Sequence, residues 1–365
     1  MKERRIIALL GRRDEPTDAV EDYCRYLGDA LRAHGFEMEL ARVPWAGLGW
    51  AAALRELRGK AVEWRGQWVL LQYTALAWSE RGFPLRFLRV MNLLRAVGAR
   101  VAVVYHDVEP YAGVRVIDVL RRRVQIQTMR RALAASEVAV FTIPVEKISW
   151  RPARRKGDVF IPVGANLPPV QVAAESAEEK RDPADGIPTA AVFGITGGDA
   201  GVEETQRIVE AVRFAVKQVG KMRLVVFGRN SESAETSLRK ALGDVPVEIQ
   251  VHGVVAGEKV AGLLSASDVL VFVRGAISSR RGSAIAGIAC GVPVIAWSSA
   301  ETASPITDAG VVLISREERS QLGEALARVL GDRGYRDALA ERSRNAHREF
   351  FAWPAIAGRF AEFLH

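Results

Sequence analysis

Two adjacent arginines, Arg280 and Arg281, stand directly before Gly282-Ser283 in the stretch "SSRRGSAIAGIACGVPVIA". If a helix starts near Gly282-Ser283, its first N–H groups and its dipole face outward beside two guanidinium groups. Such a mouth suits a diphosphate, because arginine offers bidentate donors and full charge. Two further stretches end strand-like runs in the same way. "FGITGGDAG" brings Thr196 and Gly197 to a glycine-rich turn where backbone N–H groups can approach an anion, and "FGRNSES" adds Arg229. Read on their own, the glycines also fit a plain strand-to-helix turn. The arginine pair also fits a surface beside a helix packed through Ala284, Ala286, Gly287 and Ala289.

A second group lies in the first half. "VVYHDVEPY" closes an apolar run with His106, Asp107 and Glu109. A histidine at a strand end can position a hydroxyl or assist with its proton. Acidic residues at that place also commonly cap the next helix. Glu80 and Arg81, in "SERGFP", are weaker candidates for the same rim.

The elements that must position these residues are legible as alternation. Strand-like runs "RRIIALLG", "FEMELARV", "QWVLLQY", "ARVAVVYHD" and "EVAVFTIP" are separated by helix-like segments. A polar, proline-bearing stretch around "RDPADGIP" interrupts the pattern. It then restarts with "TAAVFGITGG", "KMRLVVFGRN", "VEIQVHGVV", "SDVLVFVRG", "GVPVIAWSS" and "AGVVLIS". This is the pattern of α/β units on buried parallel sheets, whose ligands bind at the carboxyl ends of the strands. The expected division is an N-terminal Rossmann-like domain at 1–165, a hinge and linker at 166–188, a second Rossmann-like domain at 189–345, and a final helix at 346–365. Pro354 suits the first turn of that helix.

At 365 residues and 49% hydrophobic content the chain is long enough for two such domains. The 51 basic residues outnumber 43 acidic ones, which permits anionic partners without choosing among them. Cys24 and Cys290 are its only cysteines. They form no CxxC pair, which argues against a thiolate zinc site or a disulfide framework. No run reaches membrane-spanning length and the apolar run after the basic start is too short for a signal-peptide core, so a cytoplasmic location is expected, with room for a peripheral place on the inner face of the membrane. No strand ends in the glycine fingerprint of a dinucleotide-dependent oxidoreductase. Nor do aromatics interleave with arginine along a nucleic-acid-binding motif, so no nucleic-acid partner is expected.

The order "HGVVAGEKVAGLLSASDVLVFVRG" followed by "AIAGIACGVPVIA" resembles the donor-binding half of the retaining GT-B glycosyltransferases of the family-4 type (glycosyl transferases group 1). The match in order and spacing runs from Val247 to Leu313. "IPVGANLP" is similar to that family's hinge and "FFAWPAIAGRF" to its C-terminal helix crossing back to the first domain. The resemblance implies two Rossmann-like domains facing each other across a cleft. It also implies transfer of a sugar from a nucleoside-diphosphate donor such as a UDP- or GDP-sugar, with retention, and no separate cofactor. Arg280, Arg281, Gly282, Ser283, Arg229, Thr196 and Gly197 would hold the diphosphate. The base would lie against Gly253-Val254, and His106 beside the donor sugar with Asp107. Glu80 and Arg81 would line the acceptor side. Two glutamates usual in the family, spaced E-x7-E, fall by register on Ser278 and Ala286. Glu301 and Thr302, in "SSAETASP", would bind the donor sugar instead, Glu301 restoring a carboxylate. The same departure supports an alternative, a GT-B-like protein that binds a nucleotide or glycan without turnover.

The acceptor implied is a glycan or a lipid-linked glycan. Five of the eight tryptophans lie between Trp45 and Trp78, and "RVIDVLRRRVQIQTMRRAL" sets Ile117, Leu120, Val124 and Met129 among arginines. That permits peripheral contact with an anionic membrane. The competing reading puts those apolar residues in the core and leaves a solvated basic face.

Overall fold

The computed structural model describes residues 4–15, 17–152, 155–168, 186–318 and 320–365. Most of the stretch expected as hinge and linker, 169–185, lies outside the described residues. The chain divides into two compact units, Met1–Val163 with Trp353–His365, and Gly164–Ala352.

In the first unit β1 (Arg4–Leu10), α1 (Ala19–Leu31), β2 (Phe36–Arg42), α2 (Trp45–Ala61), β3 (Trp68–Tyr73), α3 (Phe87–Ala96), β4 (Arg100–Tyr105), α4 (Val116–Ala135), β5 (Val138–Phe141) and β6 (Asp158–Phe160) follow in turn. The second unit holds β7 (Thr189–Phe193), α5 (Asp199–Val219), β8 (Met222–Phe227), α6 (Ser231–Leu242), β9 (Val247–Val251), α7 (Gly257–Ser265), β10 (Val269–Ala276), α8 (Gly282–Ala289), β11 (Val294–Trp297), β12 (Val311–Ile314), α9 (Ser320–Gly331) and α10 (Arg333–Ala346). The last helix, α11 (Trp353–Leu364), belongs to the first unit.

Each unit carries one six-stranded parallel sheet, ordered β2-β1-β3-β4-β5-β6 and β12-β11-β10-β7-β8-β9. The unbroken apolar runs form strands buried on both faces, as parallel sheets covered by helices require. In each sheet the winding reverses once, between β1 and β3 and between β7 and β10. Loops leave in opposite directions at these switch points, and a crevice opens beyond the strand ends. The β7–β10 ladder is short, Val269 with Ala190 and Leu270 with Ala191.

Helix α8 lies close on its sheet. A Cβ at Gly287 would come 2.6 Å from Leu270 Cδ2, so the small residues of "AIAG" bring the helix down on β10. The tryptophan-rich stretch is core: Trp45, Trp64, Trp68 and Trp78 are all buried, and Trp50 stacks on Trp45 at 5.0 Å. Helix α4 does not keep Ile117, Leu120 and Met129 in one environment. Met129 is buried with Gln125, Thr128, Ala132 and Leu133, while Ile117 and Leu120 stand in solvent. Its inner face is partly polar because it packs on loops whose backbone needs partners. Gln125 accepts from Tyr111 N at 2.7 Å and donates to Gly82 O at 2.9 Å.

Candidate active site

At the carboxyl end of the second sheet three loops are sewn together. Gly194 N donates to Phe227 O (2.7 Å), Ile195 N to Arg229 O (2.9 Å), and Gly228 N to Gly253 O (2.6 Å). Asn230 Nδ2 donates to Ile195 O at 2.9 Å. Thr196, Gly197, Arg229, Gly253 and Val254 therefore gather on one end of this sheet. Gly253 has φ +63, and Val254 beside it is half exposed. The Glu232 carboxylate lies against this turn, 2.9 Å from where a Cβ on Gly253 would stand.

Thr196 is engaged inside the loop. Its N–H and its hydroxyl both donate to the buried Glu204 carboxylate, at 2.8 and 2.7 Å. Gly201 permits this fold-back, since a Cβ there would come 1.9 Å from Thr196 O. The groups left for an anion are the N–H groups leading from Gly197 into α5, which begins with no side-chain cap.

Facing β7 across the switch point is Arg274, at the end of β10, which the sequence reading passed over. Its Nη1 lies 2.9 Å from where a Cβ on Gly194 would stand, so the guanidinium rests on the Gly194 turn. Burial pushes its pKa down; Glu204 counters this and the like charge of Arg229 adds to it. Arg274 makes no hydrogen bond or ion pair with the described residues. Arginine remains charged under these conditions, so the crevice holds a guanidinium with unused donors. The only sequence signal was an arginine closing the buried run "VLVFVRG".

The arginine pair separates into two roles. Arg280 makes a two-pronged ion pair with Glu301, 3.0 and 3.1 Å, mostly buried on both sides. Burial raises the Glu301 pKa, but the Arg280 hydrogen bond and charge, the Arg281 charge and the Ser278 hydroxyl together hold it below the usual carboxylate value. Arg281 Nε donates to Ala276 O at 3.3 Å, and its residue caps α8 without a side-chain bond to the helix. Gly282 and Ser283 open that helix and are partly exposed. Thr302 donates its hydroxyl to Ile277 O at 2.7 Å and accepts from Ser299 N at 3.0 Å, pinning the loop that carries Glu301. Ser278 and Ala286 are buried.

The first unit has a cavity of about 260 Å³ at its own switch point, with Arg12, Arg13, Asp18, Gln72, Thr74 and Asp107 among its walls. Asp107 accepts from Ala75 N at 2.8 Å. Asp18 caps α1 and pairs with Arg42 at 3.2 Å. His106 stands behind this wall: one ring nitrogen, Nε2, is 2.8 Å from Gln72 Oε1. The Gln72 amide nitrogen donates to Leu70 O at 3.0 Å, so its oxygen must accept and Nε2 carries the proton. Burial pushes the His106 pKa down to about 4, leaving a neutral ring whose Nδ1 lone pair is an acceptor. Tyr23 abuts the ring edge-on at 4.9 Å, and Trp353 of α11 abuts Tyr23 at 5.4 Å. Glu80 and Arg81 do not line the cavity. They sit on an exposed turn whose Arg81 carbonyl accepts from Arg121 Nε of α4 at 2.9 Å. Glu109 accepts from the Ser149 hydroxyl at 3.1 Å. Among the described residues no three His, Cys, Asp or Glu side chains gather as a metal site.

Residues 191–332 match the family described as Glycosyl transferases group 1. No curated protein matches the chain in sequence. Solved structures match it along nearly its whole length. Sucrose-phosphate synthase from Thermosynechococcus elongatus superposes with a TM-score of 0.69 at 19% identity, over 99% of this chain and 98% of its own. A glycosyltransferase from Rickettsia africae gives 0.69 at 12% identity, over 100% and 98%. HepE of Anabaena, solved with UDP and glucose, gives 0.65 at 11% identity, over 99% of both chains. At these identities the likeness is one of fold: two Rossmann-like domains, as in GT-B glycosyltransferases.

Proposed function

We propose that this chain, whose second unit carries the group 1 glycosyltransferase match, transfers a sugar from a nucleoside-diphosphate donor to a hydroxyl of a glycan or lipid-linked acceptor, with retention. The observation that carries this is Arg274, a half-buried guanidinium with no hydrogen bond or ion pair among the described residues. It rests on the Gly194 turn within the field of Arg229, in a unit whose helices α5 and α8 begin without side-chain caps. When the donor breaks, charge grows on the departing diphosphate, and fixed donors aimed at that charge lower the barrier. Arg274, Arg229 and Arg281, with the N–H groups of Gly197, Gly282 and Ser283, are assigned that task. Arg280 positions Glu301 toward the sugar. Thr302 holds the loop rather than the ligand. The nucleoside lies against Gly253-Val254, with Glu232 close to that turn. That HepE was solved with UDP and with UDP-glucose favours UDP as the nucleotide.

In the first unit the cavity offers Asp107, Gln72 and Thr74 to acceptor hydroxyls. His106, neutral at working pH, acts as a hydrogen-bond acceptor that orients a hydroxyl; a conjugate acid with pKa about 4 is a poor proton carrier near neutrality. A second reading is favoured by the buried Ser278 and Ala286 at the positions where the family resemblance expects carboxylates. It is nucleotide binding without transfer.

The test is thermal unfolding with UDP, GDP, ADP and CMP, followed by sugar-release and transfer assays with the matching nucleotide sugar. A nucleotide at a hundredfold its Kd adds about 2.7 kcal/mol, and at the same concentration this gain should shrink to about 0.4–1.4 kcal/mol in Arg274→Ala. No response to any nucleotide sinks both readings. Binding without sugar release or transfer leaves the second.

A further inference from the structure

The loop from β8 into α6 carries a carboxylate that the fold itself does not use. Glu232, in the first turn of α6, is exposed and makes no hydrogen bond or ion pair with the described residues. Its place on the helix is ordinary, since an acidic first turn suits the helix dipole. Its direction has no such explanation. The carboxylate is laid over the Gly253 turn of the next loop, its two oxygens 2.9 and 3.3 Å from where a Cβ on Gly253 would stand. Gly253, at φ +63, leaves free the space that the carboxylate fills.

The neighbours define what would pass this carboxylate. Arg229, on the same loop, is assigned to the diphosphate, and Gly253-Val254 to the base. Gly228 N donates to Gly253 O at 2.6 Å, which ties those two loops together. A nucleoside diphosphate that spans them carries its ribose between them, beside Glu232. Ribose presents two adjacent hydroxyl donors, and an ionised carboxylate presents two acceptor oxygens. Glu204 and Glu301, by contrast, are already taken: the first accepts twice from Thr196, and the second is paired with Arg280. Ala286, at one of the positions where the family resemblance expects a glutamate, is buried and has no acceptor to offer.

We propose that Glu232 binds the nucleotide's ribose through its 2′- and 3′-hydroxyls and makes the site selective for ribonucleotides. This rests on the nucleotide reading above and adds the residue that takes the ribose. The edge of uracil is a poor partner for a carboxylate, because its one N–H stands between two carbonyl oxygens. Guanine, with two neighbouring N–H donors, is a better one, so a guanine contact has to be told apart from a ribose contact. A carboxylate without a role in binding only repels the diphosphate. Mere proximity and ribose binding therefore predict opposite signs when Glu232 is removed.

The experiment is calorimetry of the full chain with UDP, 2′-deoxy-UDP, 3′-deoxy-UDP, GDP and IDP, the last lacking guanine's amino group. Wild type should bind UDP about tenfold or more tighter than either deoxy form. Glu232→Ala should bind UDP about ten- to a hundredfold more weakly and no longer distinguish it from the deoxy forms. If GDP is the nucleotide bound, its deoxy forms enter the same comparison. Glu235→Gln, on the same helix and paired on the surface with Arg239, should leave every affinity unchanged. Glu232 is exposed, so melting temperatures without ligand should match wild type. Tighter UDP binding in Glu232→Ala, no change, or an equal loss for UDP and its deoxy forms overturns the proposal and leaves the nucleotide reading standing. So does a variant that loses only a preference for GDP over IDP, because the carboxylate then reads guanine. A wild-type chain that binds no nucleotide overturns both.

Discussion

The two units use the same architecture to build opposite surfaces. Each opens a crevice where its parallel sheet reverses winding, between β1 and β3 in one and β7 and β10 in the other. In the second unit that crevice is governed by arginine: Arg274 feels the like charge of Arg229 and the opposite charge of Glu204, a carboxylate already engaged by Thr196, while Arg280 neutralises Glu301. In the first unit the carboxylates of Asp107 and Asp18 meet Arg12 and Arg13 around a mixed polar cavity, with a neutral histidine behind it. A parallel sheet supplies the place, and the residues at the strand ends decide whether an anion or a set of hydroxyls is welcome. Substitutions that separate these two chemistries are the way to test the contrast.

The largest effect should come from the arginine side. Arg229→Ala and Arg274→Ala should each weaken nucleoside-diphosphate binding about ten- to a hundredfold in calorimetry, at about 1.5–3 kcal/mol per charged hydrogen-bonding group. The double variant should lose roughly a hundredfold or more. Arg12→Ala, in the other crevice, should leave that binding unchanged. If Arg12→Ala were as damaging as Arg274→Ala, the division of labour between the units would be wrong.

The histidine side makes a prediction in pH. His106 has a folded-state pKa near 4 and an ordinary unfolded value near 6.5. Between these values the unfolded chain binds a proton that the folded chain refuses. Stability is therefore unaffected above pH 6.5 and falls as pH drops toward 4, by up to about 3 kcal/mol. His106→Asn should flatten the stability curve between pH 6.5 and 4.5 without changing nucleotide binding. A curve of unchanged slope would mean that the ring is not held neutral.

How much of this could be read from residues alone differs between the units. Apolar runs announced all the strands but β6, whose three residues "DVF" sit at a sheet edge in a charged stretch. There Asp158 is buried because Arg155 bonds it at 2.8 Å, and burial by pairing leaves no apolar signature. The arginine pair at α8 was visible because it precedes a helix start in sequence. Arg274 was not, because its meaning depends on β10 lying beside β7, which pairs Val269 with Ala190 far away in sequence. The same holds for His106, whose state follows from Gln72 on the neighbouring strand and from Tyr23 on α1. On α4, spacing grouped Ile117 and Leu120 with Met129, while hydrogen bonds from Gln125 to two loops chose a different inner face.

A smaller effect tests the ion pair that distinguishes Arg280 from its neighbours. Removing the charge in Glu301→Gln leaves Arg280 mostly buried beside a neutral amide, at a cost of about 1–2 kcal/mol for a pair still touched by solvent. Because the Glu301 pKa is depressed in the fold, wild type should hold this stability above about pH 4.5 and lose it as pH falls through the folded value. The variant should lack that acid-side loss. Nucleoside diphosphate should still bind Glu301→Gln, with the sugar moiety contributing less; equal loss for UDP and for the UDP-sugar would remove Glu301 from the sugar's side.

The smallest effect concerns what holds the histidine. The Tyr23 hydroxyl is buried and finds no hydrogen-bond partner among the described residues, and burial raises its pKa well above the ordinary value. Its ring, by contrast, is wedged between His106 and Trp353. An unsatisfied buried hydroxyl is a cost that phenylalanine avoids, so Tyr23→Phe should be neutral or stabilising by up to about 1 kcal/mol. Transfer activity and the pH slope assigned to His106 should stay as in wild type, because the edge-on ring contact is retained. Tyr23→Ala should lower stability by about 3 kcal/mol or more and let the imidazole titrate closer to its ordinary value. If Tyr23→Phe instead behaves like Tyr23→Ala, the hydroxyl is bonded in solution, and the neutral histidine is held by a hydrogen-bond chain rather than by packing.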